Sequence, residues 1–177
     1  MAKFNAKKLF KGENAYLWND DKFTYAVSSK GYIAVRMLNE SDIAKAVQKD
    51  APVIEFANRI QRERVTGAVD KVFDPDIKEI EAKRLRLDVE TIFGPVYLFD
   101  AVKGNHGCMG VQGRWVDALG DLKDWTPYLY GDAVKFYRQG AEIVMMRYKF
   151  EGSLNMEEVE AFEAEIEEVK NYLKVNK

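Results

Sequence analysis

Apolar positions along this 177-residue chain recur with helical spacing near both ends and with strand-like alternation over much of the stretch between them. Phe4, Ala6, Leu9 and Phe10 share one face while Lys3, Lys7, Lys8 and Lys11 point away, which predicts a short amphipathic helix over residues 4–10. Three β-branched and aromatic runs follow, at 15–18, 23–27 and 32–38. Their separators, Asn19, Asp20 and Asp21 and then Ser28, Ser29, Lys30 and Gly31, supply Asx turns and a residue that tolerates positive φ. The runs therefore predict a three-stranded meander.

Residues 39–92 change texture. Asn39 to Asp42 offer caps for a helix through Ile43, Ala46 and Val47, and Pro52 suits the start of a second helix with Val53, Phe56, Ala57 and Ile60 on one face. Residues 77–83 are expected as helix and 84–92 as strand. Strand chemistry returns at 96–99 and 107–111 around a turn at 104–107. Trp115, Ala118, Leu119 and Leu122 then predict a short helix, and 128–130, 134–137 and 143–150 predict three strands joined at Gly131 and Gly140. Near the C-terminus, Asn155 and Glu158 have capping-box spacing, and Val159, Phe162, Ile166, Val169 and Leu173 recur at three and four, so a helix is expected over 155–174. Its apolar face suits docking on its own sheet or a partner helix; Glu157, Glu160, Glu163, Glu165, Glu167 and Glu168 occupy the rest.

The second half thus repeats the order of the first, a short helix and then three strands. The letters repeat as well. Tyr16, Leu17, Trp18, Asn19 and Asp20 parallel Tyr128, Leu129, Tyr130, Gly131 and Asp132, and the last strand of each set ends near an arginine, Arg36 and Arg147. Two degenerate copies of one unit predict pseudo-symmetry within a single α+β domain over 1–177, with a mostly helical insertion at 39–92 and the C-terminal helix at 155–174.

Composition narrows the chemistry. Apolar residues make up 47% and charged residues 32%, with few Gly or Pro, which is the balance of a chain that folds around a core. The formal net charge of −2 provides no global positive field, so contact with nucleic acid requires a local basic face. One cysteine, Cys108, excludes an intramolecular disulfide and any multi-cysteine zinc site, and fits a reducing compartment. The absence of a signal-length or membrane-length apolar run leads to the expectation of a cytoplasmic protein without a membrane partner.

No catalytic motif stands out. His106 and Cys108 are two apart, so on an extended chain they face opposite ways and do not form a dyad. Asp20, Asp21, Asp74 and Asp76 sit at turns, where a carboxylate serves backbone donors. Neither a phosphate-binding glycine loop nor a GxSxG or HExxH pattern occurs. The expectation is a protein that is not an enzyme and uses no cofactor or metal. Basic residues concentrate at Lys3, Lys7, Lys8 and Lys11, and again at Arg59, Arg62 and Arg64, where nearby acids such as Glu63 offset them. Such clusters contact phosphates without sequence preference.

The run GRWVDALG at 113–120, followed by TPYLY at 126–130, VKFY at 134–137 and AEIVMMR at 141–147, resembles the last helix and hairpins of a DNA sliding-clamp domain. Trp115, Asp117, Ala118, Leu119, Met145, Met146 and Arg147 carry the likeness, although the proline between the methionines of that family is absent. The 28–36 stretch also resembles a clamp strand pair, with Ser29 and Lys30 in place of Thr and Asp. The resemblance implies a clamp-like fold of two helix-plus-meander halves. It also implies helices that pass DNA phosphates, giving Lys7, Lys8, Lys11, Arg114 and Lys123 a sequence-independent role with duplex DNA in replication. Family rings contain six such domains, so a ring of this chain would be a homo-oligomer. The alternative reading is a protein-binding or self-assembling module without nucleic acid, acting through sheet edges or through the acidic C-terminal helix.

Overall fold

A computed structural model of the chain describes residues 3–148; the expected helix over 155–174, with Val159, Phe162, Ile166, Val169 and Leu173, lies outside them. The architecture is mixed α+β. Among the described residues, nine antiparallel strands form one continuous sheet with helices on its faces. The first meander is as expected: helix α1 (Ala6–Leu9), then strands β1 (Ala15–Asn19), β2 (Phe23–Ser28) and β3 (Ile33–Leu38). Asn5 caps α1 by accepting the Lys8 N–H at 3.0 Å. Asp20 shapes the first turn, its carboxylate held below the ordinary range chiefly by the backbone N–H of Phe23 and then by that of Lys22.

Helix α2 (Asp42–Asp50) begins at Ser41, whose hydroxyl accepts the Ala44 N–H. The next helix does not begin at Pro52. The Pro52 carbonyl and the Ile54 N–H are both hydrogen-bonded to Ala15 at the edge of β1, which holds 52–54 extended. Helix α3 (Arg59–Val72) starts at Asn58, whose side chain accepts the Gln61 N–H while Gln61 reaches back to the Ala57 N–H. Its inward face is Val65, Val69 and Val72, and the expected face residue Ile60 is exposed.

The expected helix at 77–83 is also corrected. Strand β4 runs from Glu79 to Thr91. Ile80 and Ala82 face the core between exposed Glu79 and Glu81, a two-residue period that satisfies β7 on one edge and β5 on the other. The insertion is therefore two helices and a strand. Strands β5 (Gly94–Ala101) and β6 (Cys108–Gln112) complete this end of the sheet, and a register shift between Arg84 and Asp88 separates two stretches of the β4–β5 ladder. Helix α4 spans only Gly113–Asp117, because the chain turns at Gly120, where φ is 85°, and a short 3₁₀ turn over Leu122–Asp124 follows. Strands β7 (Thr126–Tyr130), β8 (Ala133–Arg138) and β9 (Ala141–Met146) close the order as β1-β2-β3-β9-β8-β7-β4-β5-β6.

The sheet buries both faces. On one, α1, α2 and α4 cover Ala26, Ile33, Val35, Met37, Val134, Phe136, Ile143 and Met145; on the other, α3 and the turn after it cover Val27, Ala34, Ala133, Tyr130 and Val144. Each strand splits its side chains between the two layers by its period of two.

A charge network crosses the α3 face. Lys135, almost fully buried in mid-strand on β8, donates to Glu79 at 2.5 Å and to Glu142 at 2.8 Å, and Glu142 also accepts from Arg36 on β3. Burial pushes the Lys135 pKa down, but its hydrogen bonds to Glu142 and Glu79 outweigh that and hold it above the ordinary 10.5. Arg36 stacks on Phe23 and Phe73, and burial raises the Tyr130 hydroxyl above 10.0 while it donates to the Val72 carbonyl. Glu142 serves two cations where Glu79 serves one and is half exposed.

Replacing Glu142 by Ala leaves buried cations short of a partner and is expected to cost about 2–4 kcal/mol in urea unfolding. Glu79→Ala, at a more exposed position, is expected to cost about 1 kcal/mol; equal losses would contradict this hierarchy. Lys135 and Tyr130 have raised folded-state values, so the stability they contribute is complete below their unfolded values. It is lost as pH climbs through the folded ones, and the urea midpoint is expected to decline above about pH 10.

Candidate functional site

The helix layer carries a shallow open groove lined by Asn5, Lys7, Lys8, Lys11, Gly12 and Arg114. It brings together two segments more than a hundred residues apart. The Asn5 N–H donates to the Ala118 carbonyl at 2.8 Å, tying the start of α1 to the end of α4, and Leu9, Phe10, Trp115 and Leu119 are buried beneath them in one core. With the apolar positions of both helices turned inward, Lys7, Lys8, Lys11 and Arg114 are left exposed on the outer side.

These four cations have no carboxylate among the groove's lining residues and no ion pair among the described residues. A cluster of this kind concentrates positive potential in a chain whose formal net charge is −2, and attracts mobile anions over roughly one Debye length, ~8–10 Å.

Of the five residues expected to contact DNA, Lys123 is set apart. It is exposed on the 3₁₀ turn that Asp121 caps, and it does not line the groove. The secondary cluster Arg59, Arg62 and Arg64 lies on α3, which packs on the opposite face of the sheet. There Arg59 pairs with Glu63 at 2.9 Å and the Arg62 guanidinium lies over the Phe56 ring. The two basic clusters do not combine into one surface.

A second concavity, on the α3 face, is lined by Arg36, Phe73, Asp74, Pro75, Asp76, Ile77, Lys78, Glu79, Tyr130, Lys135 and Glu142. Its innermost charges satisfy one another. Lys135 is held as an ammonium between two carboxylates, which removes the free amine that nucleophilic chemistry requires. Asp74 accepts the Asp76 N–H at 2.8 Å, the turn role expected of it. Among the described residues no group of three His, Cys, Asp or Glu side chains could hold a metal ion.

One arrangement that aims the groove was missed in the sequence. The Tyr97 hydroxyl donates to the Asp117 carboxylate at 2.8 Å, the Arg84 guanidinium lies 3.6 Å from the Tyr97 ring centroid, and Gly113 lies against that ring so closely that a Cβ there would sit 2.7 Å from it. Gly113 is thus required by close approach, with ordinary φ. The signal was present as the glycine that opens α4 immediately before Arg114, but nothing local specifies the tyrosine fifteen or more positions upstream.

Comparison of the chain with protein families, with curated proteins and with solved structures finds no match.

Gly113→Ala is expected to destabilise the protein by about 1–3 kcal/mol through overpacking against Tyr97 and the Pro95 carbonyl. Pairing it with Tyr97→Leu should recover part of that loss in thermal denaturation, whereas strictly additive losses would argue against the contact.

Proposed function

We propose that this chain is a non-enzymatic, clamp-like accessory protein that contacts the phosphates of duplex DNA without sequence preference. The observation that carries the reading is the groove itself: Lys7, Lys8 and Lys11 from the first helix-plus-meander unit and Arg114 from the second converge on one outward surface with no acidic residue lining it. Phosphate contact asks only for cations at a spacing that tracks a backbone, and four exposed side chains on α1, the turn after it and α4 meet that need.

The strand order supports the clamp-like part of the reading. The series β1-β2-β3-β9-β8-β7 is palindromic in its two meanders, and β3 pairs antiparallel with β9 so that Val35 lies opposite Ile143. A half-turn about that pair carries Ile33 onto Ala141 and Met37 onto Met145. Following the ladders outward, it carries Ala26 onto Phe136 and Trp18 onto Tyr128. The letter match had set Tyr16 against Tyr128; the register shifts it by two residues, which keeps the face. The match of Arg36 with Arg147 is no equivalence, since Arg147 lies beyond the end of β9.

A sheet edge favours the second reading, self-assembly. On the outer side of β1 only Ala15 is bonded, to 52–54, and among the described residues Leu17 and Asn19 have no backbone partner on that side. Assembly and DNA contact are compatible, because the edge and the groove are different surfaces.

Fluorescence anisotropy with a labelled duplex tests the DNA reading. Four phosphate contacts predict a log–log slope of affinity against salt of about −3 to −4. Joint replacement Lys7→Glu, Lys8→Glu, Lys11→Glu and Arg114→Glu should abolish binding, while Arg59→Glu, Arg62→Glu and Arg64→Glu together should leave it intact. Salt-dependent binding that survives the first set of changes would refute the assignment. Light scattering addresses assembly: a ring of six copies of this 20.3 kDa chain would have a mass of about 120 kDa, and a monomer at working concentration would rule the ring out.

A further inference from the structure

The two ends of the chain differ in charge far more than the total of −2 suggests. Residues 151–168 contain eight glutamates and no lysine or arginine. The whole of 149–177 holds four lysines, which leaves 23 basic and 21 acidic side chains to residues 1–148. A segment of −8 therefore belongs to the same molecule as a groove of four cations that form no ion pair among the described residues.

The described part of the chain ends close to the groove. Two residues after the end of β9, the Tyr148 N–H donates to the Gly110 carbonyl of β6 at 2.7 Å. Gly110 precedes Arg114 of the groove by four residues on a continuous strand-to-helix path. Four residues span at most about 14 Å, and the stretch from Tyr148 to Glu157 can reach about 30 Å when extended. The acidic segment therefore has the chain length to reach the cations.

We infer that residues 151–168 occupy the Lys7, Lys8, Lys11 and Arg114 groove of their own chain as a polyanionic occupant. A short tether gives such a segment an effective concentration in the millimolar range, against which an external polyanion must compete. The match is electrostatic, eight carboxylates against four cations, and so weakens as salt screens it. This does not depend on the DNA reading, because it requires only the groove's charge and the segment's.

Zero-length carbodiimide cross-linking of the full chain at low ionic strength, mapped by mass spectrometry on a mixture of ¹⁴N- and ¹⁵N-labelled protein, tests it. The expected result is isopeptide links from Glu151, Glu157, Glu158, Glu160 or Glu163 to Lys7, Lys8 or Lys11 within one isotopic species, fading at high salt. Links only between species would assign the segment to a neighbouring copy, and absence of links to these lysines would overturn occupation of the groove; both defeat the inference. A second measurement uses the full chain carrying Glu157→Gln, Glu160→Gln, Glu163→Gln and Glu167→Gln. Its elution from immobilised heparin should move to higher salt than that of the unaltered chain, an advantage that vanishes when Lys7, Lys8 and Lys11 are also replaced by Gln. Unchanged elution would count against the inference. Intrachain links together with no duplex binding by either form would leave the inference standing and remove the DNA reading.

Discussion

The antiparallel pairing of β3 with β9 is the contact on which the rest of the molecule depends. Those strands lie more than a hundred residues apart in sequence, yet they are neighbours at the centre of the two meanders, and every other strand reaches the sheet through one of them. The side chains on both faces reinforce the pair. On the helix face Ile33, Val35, Met37, Ile143 and Met145 are buried together, and on the other Arg36 meets Glu142 directly across the ladder. A cross-strand ion pair that is also shared with Lys135 favours the register in which Arg36 faces Glu142, because a one-residue slip would turn those charges into the apolar layer beneath α2.

How much of this was legible depended on the range of the interaction concerned. The meanders announced themselves through alternation and turn residues, since Asp20 and Gly31 act on their own neighbours. Helix α2 was legible for the same reason, through Ser41. What failed was whatever a distant partner decided. Pro52 looked like a helix start until its carbonyl was claimed by Ala15. Residues 79–83 carry charges at spacings that satisfy a helix as readily as a strand, and only the offer of two ladder edges, from β7 and β5, selects the strand. Lys135 gave no sign of being buried, because its justification lies on β4 and β9.

The candidate site divides in the same way. Lys7, Lys8 and Lys11 formed a visible cluster because they share one short segment, and the likeness of 113–120 to a clamp helix drew Arg114 to them. Their convergence depends on the Asn5 to Ala118 hydrogen bond and on the fit of Gly113 beneath Tyr97, neither of which has a local signature. Spatial sorting also separated two basic clusters that looked equivalent in sequence: one faces outward beside α1 and α4 with no ion pair among the described residues, while the other is on the far side of the sheet with Glu63 and Phe56 as its company.

The central position of β9 has a consequence for synthesis on the ribosome. Strands β1 to β3 emerge early, but the edge of β3 has no partner until Ala141–Met146 leave the exit tunnel, so the growing chain carries an unfinished apolar sheet for most of its translation. At about 5–20 residues per second that interval lasts several seconds, long compared with the microseconds in which a hairpin forms. A truncated or stalled product ending before β9 would expose an unsatisfied strand beside Val35 and Met37. Quality control in the cell would meet this protein as an open sheet edge before it ever met it folded.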